Sequence, residues 1–144
     1  MATSPRIRKR PPPGKGRESW RVPLSAIRRL AREIADKFQP DKIILFGSYA
    51  YGKPHQYSDV DLLVIMPAWN ETSKASRISR AVDHPFPMDI LVRTPENLRW
   101  RLKEGDWLLC EAVGKGKILY EKINQDVDSQ SRIRFRRRKK ARQV

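Results

Sequence analysis

Between Leu24 and Phe38 the apolar residues Leu24, Ile27, Leu30, Ile34 and Phe38 recur every three or four positions, with Arg28, Arg29, Arg32 and Lys37 between them. That period belongs to a helix with one apolar stripe, so an amphipathic helix is predicted from Pro23 to near Pro40. The next apolar run changes character. Lys42 to Phe46 is short, branched and halted by Gly47-Ser48, which predicts a buried strand. Ser48 to Gly52 is expected to form a short helical turn, Lys53 to Ser58 a polar loop, and Val60 to Met66 a second strand ended by Pro67. A helix over Glu71 to Val82 follows, then Pro85 and Pro87 bracket the approach to a third strand, Met88 to Val92. Beyond Pro95, Leu98 and Leu102 mark one helix face. Leu109, Cys110 and Val113 mark another after Gly105, with Cys110 expected in the core and Gly114 expected to end the helix. Lys117 to Glu121 reads as a final strand. This alternation predicts an α/β or α+β fold, a small mixed sheet flanked by helices, with no internal repeat.

Charge sharpens the domain boundaries. The 144 residues leave room for one ordinary domain, and the net charge of +15 is unevenly spread. Residues 1–17 hold six basic residues and no acid, and residues 132–144 hold eight and no acid, which leaves 17 basic against 16 acidic residues in 18–131. A nearly neutral folded body is therefore expected over 20–123, with disordered basic tails at 1–19, where three prolines stand in a row, and at 124–144. The single Cys110 excludes an intramolecular disulfide and a thiolate zinc cluster. No stretch approaches the roughly 20 apolar residues that span a bilayer, and a soluble cytoplasmic protein is expected.

Candidate chemistry lies in GSYAYGKPHQYSDVDLLVI, where Gly47-Ser48 is separated by ten residues from Asp59-Val60-Asp61. Alternate residues of a strand share a face, so Asp59 and Asp61 project together while Val60 points away. Two carboxylates on one face suit a hard cation such as Mg²⁺, commonly held by one or two carboxylates together with substrate phosphates. Asp89, within the third apolar run, is placed to complete the cluster, and in-line phosphoryl transfer with two metals uses acidic groups of this kind. Carboxylates in apolar runs such as VDLLVI and PMDILV are expected to bury charge that needs compensation. Gly47 lets backbone approach a phosphate closely, and Ser48 at a strand-to-helix turn offers a hydroxyl and an amide.

The order of apolar strand, Gly-Ser, ten residues, Asp-x-Asp and a third Asp resembles the polymerase-beta-like nucleotidyltransferase superfamily, in particular its minimal members. The resemblance runs over roughly residues 24–122, including FQPDKIILFGS, PMDILV and GKILYE. It implies a mixed sheet flanked by helices, a nucleoside triphosphate donor and Mg²⁺. Carried onto this sequence, Gly47 and Ser48 would grip the triphosphate, Asp59 and Asp61 would bind metal, and Asp89 would bind the catalytic metal and help activate the attacking hydroxyl. Many relatives read GSxARG where this chain has Tyr51, and Lys53 is the nearest cation in sequence. The resemblance further implies transfer of AMP from ATP to a partner protein, as in antitoxins paired with a helical HEPN-type toxin. Alternatives are addition of nucleotides to transfer RNA, an antitoxin acting purely by complex formation, and a non-catalytic module whose basic tails hold RNA or DNA. His55 and His84, in Pro-containing loops, are expected at the surface. Trp100 and Trp107 are expected to pack or to be partly exposed.

Overall fold

The computed structural model describes residues 20–123; the two basic tails of the sequence lie outside the described residues. Helix α1, Leu24–Phe38, starts where Pro23 supplies an extended residue whose carbonyl accepts from the Ala26 and Ile27 amides at 3.0 and 3.2 Å. It buries Ile27, Leu30, Ala31, Ile34 and Ala35, the stripe set by the apolar period. Gln39, in the left-handed region at φ 50°, stops it, and the buried Pro40 turns the chain into the sheet.

Strand β1, Lys42–Phe46, and strand β2, Val60–Ile65, are the two central strands of a four-stranded sheet of order β3-β2-β1-β4. Their near-continuous apolar sequences follow from cover on both faces. On one face, Ile43, Leu45, Val60, Leu62 and Val64 pack with α1 and with Ile78 of α3, Glu71–Ala81. On the other, Ile44, Phe46, Leu63 and Ile65 pack with Leu98 of α4, Pro95–Lys103, and with Leu109 and Ala112 of α5, Trp107–Lys115. Strand β1 runs antiparallel to both β2 and β4, Lys117–Glu121, whereas β2 and β3, Met88–Arg93, are parallel and joined by α3 as the crossover. The outer strands β3 and β4 are only partly covered.

Two expectations for α5 need correction. The helix passes through Gly114 to Lys115, with Gly116 as its cap. Gly116 is the glycine that the packing requires, because a Cβ there would meet the Ala112 carbonyl oxygen and Ile44 Cγ2 and come within 2.7 Å of the Leu45 carbonyl oxygen. Cys110 is exposed, since the buried stripe of α5 consists of Leu109 and Ala112 and leaves Cys110 and Val113 outside it.

The junction between α3, β3 and α4 rests on Glu71. Its carboxylate accepts from the Thr94 amide at 2.8 Å and from the Asn97 side-chain amide at 2.9 and 3.0 Å, and it lies 3.7 Å from an Arg93 guanidinium nitrogen. Thr94 caps α4 by accepting from the Asn97 amide at 3.1 Å. In an ordinary capping box the third helical residue returns a bond to the cap amide; here Glu71 supplies that bond from another helix. Glu71→Ala leaves the cap amide and the Asn97 amide without this acceptor and is expected to lower stability by about 2 kcal/mol, with Glu71→Gln less damaging. Chemical denaturation checks this, and an unchanged midpoint for the alanine variant would contradict the assignment.

Candidate active site

At the end of β1 the chain enters a four-residue helix, α2, Ser48–Tyr51, through Gly47 at φ 75° and ψ −157°. That conformation strains any residue with a Cβ, and a Cβ on Gly47 would collide with Asp61 Oδ2 and sit 3.1 Å from Asp61 Cγ. The backbone of the β1–α2 turn therefore lies directly against the Asp61 carboxylate. Helix α2 is too short to stand by propensity. Tyr49 and Ala50 pack on one core layer and Tyr51 on the other. The Val22 amide donates to the Tyr49 hydroxyl at 3.2 Å. Tyr51 is thus a packing residue against the layer that holds Phe46, while Lys53 is exposed.

The ten residues between Ser48 and Asp59 are taken up by α2 and a tight polar turn. In that turn the Ser58 amide donates to the His55 carbonyl at 2.9 Å and the His55 amide donates to Ser58 Oγ at 2.8 Å. His55 Nδ1 accepts from the Tyr57 amide at 3.2 Å, and His84 Nε2 lies 3.1 Å from the Ser79 carbonyl oxygen. Both histidines have local structural contacts; His55 is exposed, and His84 is half-buried rather than fully at the surface.

Pairing brings the carboxylates to one end of the sheet. Asp61 opposes Phe46 across the antiparallel β1–β2 ladder and stands in register with Asp89 across the parallel β2–β3 ladder. The Val60 amide donates to the Pro87 carbonyl at 2.9 Å at the mouth of this register. Phe46 and Pro87 were not singled out by their chemistry. Yet Phe46, 5% exposed, supplies apolar cover across from Asp61, and Pro87 anchors the strand that carries Asp89. Their sequence signals are slight: the last apolar residue before Gly47 and the residue ahead of the third strand. Asp59 precedes β2 by one residue, on the face shared by Asp61, Leu63 and Ile65.

Burial differs from the expectation of charges sunk in apolar runs. Only Asp61 is half-buried; Asp59 and Asp89 are exposed, the first because it lies outside the strand and the second because β3 is an outer strand. Burial in the first place, then the charges of Asp89 and Asp59, push the Asp61 carboxyl up to about 6. A carboxylate raised by neighbouring carboxylates gains from any cation placed among them.

Among the described residues no three His, Cys, Asp or Glu side chains form a ready-made cation cage. The donor types fit Mg²⁺ in another way: hard carboxylate oxygens at one sheet end, the charges of Asp89 and Asp59 acting on Asp61, and a glycine turn against that carboxylate that leaves room for close approach.

Residues 27–140 match the family model described as the nucleotidyltransferase domain. The chain belongs to that family. This nucleotidyltransferase domain, with its four-stranded mixed sheet flanked by helices, has the fold implied by the GS and DxD resemblance. It is 28% identical over 109 residues to 2-succinyl-5-enolpyruvyl-6-hydroxy-3-cyclohexene-1-carboxylate synthase of Listeria monocytogenes serotype 4b, covering 70% of this chain and 19% of that protein. The chain thus spans about a fifth of the length of that relative. Among solved structures it is similar to a protein described as a nucleotidyltransferase from Sulfolobus solfataricus, at 19% identity over 69% of this chain and 80% of that one, with a TM-score of 0.48. It is also similar to a mutant of the toxin-antitoxin MntA-HpeT, at 21% identity and a TM-score of 0.42. A toxin-antitoxin structure with AMP-PNP gives 24% and 0.41; each of these last two covers 85% of this chain and 94% of the other. No helix among the described residues is long and apolar enough to cross a membrane.

The raised Asp61 carboxyl has a signed consequence. Its folded value lies above the ordinary 3.8, so the folded state holds the proton more tightly, and this contribution to stability is lost as pH rises from about 4 through about 6. Asp61→Asn removes the penalty. Without divalent metal, the variant is expected to be more stable than wild type above pH 6 by on the order of 1 kcal/mol, a figure discounted for the exposed half of the carboxyl, with the difference shrinking toward pH 4. Urea denaturation in EDTA at pH 5 and 7.5 measures it; a variant less stable at pH 7.5 would contradict the assignment.

Proposed function

We propose that this nucleotidyltransferase domain transfers AMP from ATP, with Mg²⁺, to a hydroxyl of a partner protein, and that the partner is a helical toxin of the HEPN type. The observation that carries the reading is the in-register placement of Asp61 beside Asp89, with the Gly47 backbone turn pressed against Asp61. Gly47 and Ser48 hold the triphosphate, since Gly47 admits close approach of backbone and Ser48 offers a hydroxyl at the strand-to-helix turn. Asp59, Asp61 and Asp89 hold the metal, which supplies charge neutralisation on the phosphates and polarises the reacting oxygens. Asp89, exposed on an outer strand, meets the incoming acceptor and accepts the hydroxyl proton as the oxygen attacks the α-phosphorus. The bond from that phosphorus to the α–β bridging oxygen breaks, and pyrophosphate leaves.

Exposure of Asp59 and Asp89 supports an acceptor that brings its own hydroxyl into the open end of the sheet. Asp89 lies on an outer strand of the sheet, and Asp59 lies just outside β2. That openness favours an acceptor hydroxyl carried on a macromolecular surface.

Incubation of the full chain with α-labelled ATP and Mg²⁺ in an extract containing both protein and RNA tests the reading. Label is expected on a discrete protein, and the Asp59→Asn, Asp61→Asn double variant is expected to lose transfer by at least 1000-fold, on the order of the loss of a principal electrostatic group. EDTA is expected to abolish the reaction. Label on small RNA instead would identify transfer RNA as the acceptor, and transfer undiminished in the double variant would overturn the metal assignment.

A further inference from the structure

At the opposite end of the sheet from the carboxylates, where β2 and β3 leave it, lies a groove of about 830 Å³ between the β2–α3 loop, α3 and the start of α4. It is roughly 20 Å along β2 from Asp61, at about 3.3 Å per residue. Its lining includes Trp69, Lys74, Arg77, Arg80 and one acid, Glu96. Trp69 is 106% exposed, so its indole packs on nothing among the described residues. The loop that carries it is nevertheless held at both ends. The Met66 amide donates to the Arg93 carbonyl at 3.1 Å, and Asn70 caps α3 by accepting from the Ser73 amide at 2.9 Å.

The three cations follow at intervals of three along α3, neighbours on one side of the helix and spread over about 9 Å of its axis. No ion pair is formed by Lys74, Arg77 or Arg80 among the described residues. The acid at the head of the helix, Glu71, is engaged by Thr94, Asn97 and Arg93 and does not offset them. A near-neutral total for residues 18–131 therefore conceals a local positive strip.

We infer that this groove binds a single strand of nucleic acid, with a base stacked on Trp69 and the phosphates that follow it lying along Lys74, Arg77 and Arg80. Single-strand sites combine these two elements: an aromatic face that accepts any base, and a cationic track for the backbone. An acidic peptide would satisfy the cations but leave the bare indole unused, whereas a nucleic acid strand uses both. Distance from the carboxylates makes this a holding site, separate from the transfer chemistry.

The test uses the full chain and a labelled 12-nucleotide oligo-uridine, followed by anisotropy and by tryptophan fluorescence. Wild type is expected to bind with quenching of fluorescence. Trp69→Leu is expected to lose most of the quenching and about tenfold in affinity. The triple variant Lys74→Gln, Arg77→Gln, Arg80→Gln is expected to reduce the slope of log affinity against log salt by about 2, at roughly 0.7 per lost phosphate contact. All four positions are at or near the surface, and circular dichroism verifies that the variants fold. Equal affinity, quenching and salt slope in wild type and both variants would assign binding to the basic tails and overturn the proposal. Absence of binding would overturn it also, as would poly-glutamate that quenches Trp69 and displaces the oligonucleotide at comparable charge concentration.

Discussion

The parallel pairing of β2 with β3 sets Asp61 beside Asp89, a juxtaposition of like charges that a sheet tolerates only when something else holds the register. Here the register is held by apolar residues farther along the same strands. Leu62, Leu63 and Val64 are fully buried between two helical layers, and Val92 of β3 is buried against them. A slip by one residue would turn Leu63 and Ile65 out of one layer and drive Asp61 into the other. Repulsion at one end of the sheet is therefore carried by packing at its centre, and the carboxylates keep their places without a ligand.

Much of this was legible because the strands that matter are central. The strand expectations for 42–46 and 60–66 lie within one residue of β1 and β2, and the middle of the α1 stripe, Ile27, Leu30 and Ile34, is buried, whereas its ends fray outward, with Leu24 exposed and Phe38 partly buried. Local chemistry also marked Gly47, whose role against Asp61 depends on a positive φ and a lack of side chain. What failed did so where context rather than local pattern decides. Cys110 looked like a core residue because it is apolar and helical, but α5 buries a stripe only two residues wide. Asp89 looked buried because its neighbours are apolar, but β3 lies at the edge of the sheet, a fact of strand order that no local window contains. Net charge was equally blind to the strip on α3, because a sum over residues 18–131 carries no information about which cations share a helix face.

The molecule thus divides its polar work between two ends of one sheet. One end concentrates negative charge beside a glycine turn; the other sets an exposed indole next to cations that form no ion pair among the described residues. Glu71 lies at the second end and belongs to neither function. Its bonds to Thr94 and Asn97 fix where α4 begins, and α4 with α5 covers the face from which Asp61 projects.

The position of Asp89 on an outer strand also bears on how these molecules meet one another in concentrated solution. An uncovered strand presents unpaired amides and carbonyls to any other chain, and folded proteins guard such edges with charge. Apart from Asp89, strand β3 is apolar from Met88 through Val92, so Asp89 is the carboxylate that a second molecule would have to desolvate in order to add its own strand there. Asp89 is in this sense a guard on the sheet, keeping an uncovered edge from becoming a surface for self-association.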